Sequence, residues 1–136
     1  MGTWDASPFG SDQAADFAGD LDELALEERP SAIREALEAV TREAAVVDSF
    51  EGVLAVAAAA LVAAQCPGGQ PVDPIYGPEE RIPELPVDLR PLAVKALDRV
   101  VGPDSELEQL WDESGGAEEW RAEIARLRLA LSTQPN

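Results

Sequence analysis

The sequence has no histidine, one cysteine, one lysine and only seven aromatic residues. Each shortage closes off a chemistry. Without His there is no Ser–His–Asp or Cys–His catalysis, and no imidazole to ligate a metal. The single thiol, Cys66, can form neither an internal disulfide nor a zinc knuckle. Paired carboxylates working on a glycan would need a cleft of stacking aromatics, which seven aromatics spaced as core residues do not supply. Gly68-Gly69 is followed by Gln70-Pro71, with no Lys and no helix start, so it is a stop signal and not a phosphate cradle. No cofactor is expected. The longest apolar run, Val53 to Ala64, has 12 residues, short of the roughly 20 a spanning helix needs. The opening Met1-Gly2-Thr3-Trp4-Asp5 lacks the basic and apolar regions of a signal peptide. Ala6 stands where N-myristoylation wants Ser or Thr. A cytoplasmic protein with Cys66 reduced is expected.

Acid and alanine are plentiful. The chain of 136 residues fits one domain, and 46% apolar residues suffice for a packed core. It carries 27 acidic and 10 basic residues, a net charge of −17. That disfavours direct nucleic-acid binding and anionic membranes, and it suits a basic protein partner reached by fast, salt-sensitive association. Nine of the ten bases are Arg and 23 residues are Ala, a bias associated with GC-rich bacterial genomes. The acidity is uneven: residues 1–30 carry eight acids and one base, and residues 103–116 five acids and no base.

Hydrophobic spacing predicts an all-α fold, a single bundle of five or six helices spanning residues 1–136. Residues 1–10 read as an ordered arm carrying Trp4, Pro8 and Phe9. Ser11 or Asp12 caps helix one, which runs to about Leu26 with Ala14, Phe17, Leu21 and Leu24 inward. Pro30 is expected to break the chain, and Ser31 to cap helix two, which runs to about Ala45 with Ile33, Leu37, Val40 and Ala44 inward. Asp48-Ser49-Phe50-Glu51 is a capping box for helix three. Helix three is apolar on every side, so it is the buried central helix. Residues 67–87 hold six Pro and three Gly. They read as an extended strap pinned by Ile75, Tyr76, Ile82 and Leu85. Helix four starts at Asp88, with Pro91 tolerated in its first turn, and stops at Gly102-Pro103. Ser105-Glu106-Leu107-Glu108 opens helix five, which includes Leu107, Leu110 and Trp111. Ser114-Gly115-Gly116 turns the chain into helix six, striped by Trp120, Ile124, Leu127 and Leu131.

Two stretches carry a resemblance. The opening Met1-Gly2-Thr3-Trp4-Asp5-Ala6-Ser7-Pro8-Phe9-Gly10-Ser11-Asp12-Gln13-Ala14-Ala15-Asp16 is similar to the pattern M-G-x-W-G-x-G-P-F-x-N-D-x-A-x-D. Near the other end stand Ala96-Leu97-Asp98-Arg99-Val100, Ser105-Glu106-Leu107, Leu110-Trp111-Asp112-Glu113-Ser114 and Trp120-Arg121. Together they resemble the bacterial domain of unknown function 4259 family. The resemblance implies one intact domain and brings no activity with it.

Candidate sites follow from the charges. Asp12, Asp16 and Asp20 recur every four residues on helix one, with Glu23 continuing the face. Glu106, Asp112 and Glu113 are the matching acids on helix five, beside Trp111. The expected function is a non-catalytic acidic module that binds a basic protein through these residues, immunity-like or masking a basic surface. One alternative is a divalent-cation site or metal-assisted enzyme using Asp12, Asp16 and Asp20, which would need the helix-five acids folded alongside. Another is an oligomeric scaffold component self-associating around Trp111 and helix six. Trp4, Trp111 and Trp120 read chiefly as core, with Trp111 at the boundary. Cys66 reads as a buried small hydrophobe.

Overall fold

A computed structural model describes residues 12–42, 47–66, 84–102 and 104–132, the side chain of Asp12 excepted. The expected N-terminal arm and most of the Pro-rich strap, with Ile75, Tyr76 and Ile82, lie outside the described residues, as does Ala44. Among the described residues, six helices form an all-α bundle: α1 (Asp12–Glu23), α2 (Arg29–Thr41), α3 (Ser49–Ala64), α4 (Leu89–Val100), α5 (Glu106–Ser114) and α6 (Ala117–Ser132). A single 3-10 turn (Leu26–Glu28) joins α1 to α2.

The helix α3 packs against each of the other five. Ala55, Ala57, Ala58 and Ala59 are fully buried, and Val53, Val56, Leu61 and Val62 are buried around them. Alanine lets neighbouring helices come close, because the interaxial distance follows the side chains at the contact. Asp48 caps α3 by accepting from the Glu51 N–H at 2.7 Å. Ser105 caps α5 in the same way, accepting from the Glu108 N–H at 3.3 Å. Gly115, at φ 86°, is the left-handed residue that ends α5.

Pro30 does not break the chain. It sits in the first turn of α2, where its missing N–H is no loss, because the first helical N–H groups have no intrahelical partner. Helix two therefore starts at Arg29, with Ser31 inside it. It ends at Thr41 and not near Ala45. Helix one stops at Glu23, and Leu24 packs on the core only half-buried. The Arg29 side chain turns back onto that stop. Its Nε donates to the Leu21 carbonyl at 2.9 Å, and its Nη2 to those of Leu24 at 3.0 Å and Asp22 at 3.4 Å. A buried guanidinium thus closes the end of α1, satisfying carbonyls that a helix C-terminus leaves open. Arg99 does the same for α2, its Nε donating to the Val40 carbonyl at 3.2 Å.

The starts of α3 and α5 are tied together. Val47 and Ser105 form a parallel bridge: the Val47 N–H donates to Asp104 and the Glu106 N–H to Val47, both at 2.8 Å. Leu107 then packs on Gly52, where an added Cβ would lie 3.2 Å from its side chain. The last residues of the strap are pinned as well. Leu85 is buried, and its N–H donates to Gln65 Oε1 at 2.8 Å.

Candidate interaction surface

The apolar stripe of α1, with Ala14, Phe17, Ala18 and Leu21 buried, fixes which way its acids face. Asp16, Asp20 and Glu23 are all exposed, and Glu27 and Glu28 continue the exposed acidity through the 3-10 turn. Asp12 opens the helix. No base occurs between Asp12 and Glu28.

The helix-five acids divide by role. Asp112 and Glu113 are exposed. Glu106 is exposed too, but its Oε1 accepts the Ser49 N–H at 2.8 Å, so it braces the start of α3. That bond holds the Glu106 carboxyl below its ordinary range. Trp111 is not at the boundary. It is buried and stacked on Trp120, with ring centroids 6.1 Å apart and planes 11° from parallel. Its ring belongs to the α5–α6 contact.

The arginines are largely consumed inside the chain. Arg34 forms a bidentate pair with Asp88, at 2.9 and 3.0 Å. Each partner steadies the charged form of the other: the Asp88 carboxyl is held low and the Arg34 guanidinium is raised. Arg128 pairs with Asp98 at 2.8 Å, Arg121 with Glu108, and Arg126 with Glu123. Arg29 and Arg99 are occupied by carbonyls. The helix α1 itself carries no base.

Among the described residues, no group of three or more Asp, Glu or Cys side chains is placed to hold a metal. Cys66 is buried, and its thiol lies 3.5 Å from the Val62 carbonyl. Burial raises its pKa, with Arg90 opposing weakly, so the thiol is held in its unreactive form. Among the described residues, no helix is long and apolar enough to cross a membrane.

The acid face of α1 was legible in sequence, because the 3.6-residue period sets it opposite the apolar stripe. Glu106 as a brace and Arg29 as a helix stop were not. Their partners, a backbone N–H 57 residues away and three carbonyls of a turn, leave no local signal. A family model described as "Domain of unknown function (DUF4259)" matches residues 2–123. No curated protein and no solved structure matches the chain.

Proposed function

The chain belongs to the DUF4259 family, and from its surface we propose that it is a non-catalytic acidic module that binds a basic protein. The observation carrying this reading is charge segregation. Asp16, Asp20, Glu23, Glu27 and Glu28 are exposed along α1 and the turn after it, while six arginines are engaged within the fold. A surface of one sign raises the on-rate for a partner of the other and rejects acidic competitors. Asp112 and Glu113 extend the same sign onto α5. A toxin-neutralising role, or masking of a basic nucleic-acid-binding surface, suits this chemistry. We place the binding in the bacterial cytoplasm.

The test is capture from native host lysate with the tagged full chain, at low and at high salt. A variant carrying Asp16→Asn, Asp20→Asn, Glu23→Gln and Glu27→Gln is run beside it. The expected result is one dominant basic protein, held at low salt, released at high salt and missed by the variant. Screening explains the release, since the Debye length falls from about 10 Å at 0.1 M to about 3 Å at 1 M. A partner retained equally at high salt and by the variant would overturn the reading.

A further inference from the structure

A chain of polar ties runs through five of the six helices. Arg34 pairs with Asp88 at the head of α4, and Arg99 donates to the Val40 carbonyl, so α2 is joined to α4 twice. Arg128 and Asp98 join α6 to α4, and Arg121 and Glu108 join α6 to α5. The Val47–Ser105 bridge and the Glu106 carboxylate join α5 to α3. The helix α1 is held differently. Arg29 grips its C-terminal end through the carbonyls of Leu21, Asp22 and Leu24. Along its length α1 packs chiefly on α3, with Ala14, Phe17, Ala18 and Leu21 buried, whereas each of the other five helices packs on at least two neighbours.

Local terms add little to hold α1 as a helix. Asp16 and Asp20 stand four residues apart, where like charges repel. Asp22 and Glu23 sit in the last turn, where the helix dipole disfavours negative charge. Gly19 stands in the middle of the helix, and nothing lies within 4 Å of a Cβ added there, so packing does not demand a glycine. Glycine and aspartate both rank low as helix formers, and a helix of 12 residues is marginal on its own. The helix therefore depends on its seat against α3.

We propose that α1 is a separately docking helix, which opens from α3 while α2 to α6 stay folded. Elements with few buried neighbours open at lower free energy than the core they rest on. Asp16, Asp20 and Glu23 form one exposed row only while α1 is helical. The docked fraction would then scale the apparent affinity of that face for a partner. This last consequence rests on the partner reading above. The opening itself does not, and its test uses the full chain alone.

Native-state hydrogen exchange in low urea tests it. Amides of α1 from Phe17 to Glu23 should be at least about tenfold less protected than those of α3 from Ala55 to Val62. Their protection should also fall less steeply with urea, because a local opening exposes less surface. Gly19→Ala should raise protection in α1 by roughly fivefold. Ile124→Val, a mild truncation inside α6, should lower protection in α3 by roughly two- to tenfold and leave α1 unchanged, because α1 opens from an intact body. Equal protection and equal urea dependence in the two helices would overturn the proposal. So would a loss of protection in α1 that tracks the loss in α3 when Ile124 is truncated.

Discussion

Arg29 shows how one side chain can set where a helix stops. It is buried, and it donates to the carbonyl oxygens of Leu21, Asp22 and Leu24. Replacing it with Ala removes the donors and strands buried acceptors. The expected loss is roughly 2–3 kcal/mol in urea unfolding. Arg29→Lys should not restore it, since an ammonium cannot reproduce the planar fork. Gly116 is a second single-residue constraint. A Cβ there would lie 2.8 Å from the Trp111 ring, which is itself held against Trp120. Gly116→Ala should therefore cost about 1–3 kcal/mol as overpacking, with a change in near-ultraviolet circular dichroism as the two indoles shift. At this scale the sequence was partly legible. Asp48 and Ser105 announce themselves as caps, because the N–H they accept lies three residues on. Arg29 does not, because its acceptors exist only after the chain has turned.

At the scale of elements, the alanine run of α3 is the main constraint. Ala58 is fully buried with helices on several sides, whereas Ala60 is only half-buried. Ala58→Leu should cost about 1–3 kcal/mol, and Ala60→Leu markedly less, as read by thermal melts of the two variants. The all-round apolarity of α3 made its central place readable in sequence. Sequence alone does not separate Pro30 as a breaker from Pro30 as the first-turn residue of α2 that it is, because both uses rest on the same missing N–H. The bridge between Val47 and Ser105 was out of reach, since two residues far apart in sequence with loop character carry no pairing pattern. Two helix starts also respond to pH, that of α3 through Glu106 and that of α4 through Asp88. Glu106 and Asp88 are held below their usual range by Ser49 and Arg34. Their stabilising contribution is present above the unfolded carboxylate range, about 4, and is lost as pH falls through their lowered folded values. Urea midpoints taken at high salt should fall on acidification, and the fall should be shallower in Glu106→Gln.

The whole molecule carries 27 acids against 10 bases. Repulsion among the acids opposes the compact state, and the exposed ion pairs return little each. Salt weakens both terms, and the larger one is the repulsion. Raising NaCl from about 0.01 M, where the Debye length is about 30 Å, to about 1 M should therefore raise the urea midpoint. A falling midpoint would mean that the arginine pairs outweigh the net charge.

The lone thiol of Cys66 gives this fold a built-in clock. It closes the end of α3, its burial suppresses the thiolate, and no second cysteine competes for reagent. A thiol-specific dye added in excess can react only when that end of the bundle opens. The labelling rate then reads the free energy of that opening directly. Its dependence on urea separates a local fraying next to the strap from unfolding of the entire domain, without introducing a probe.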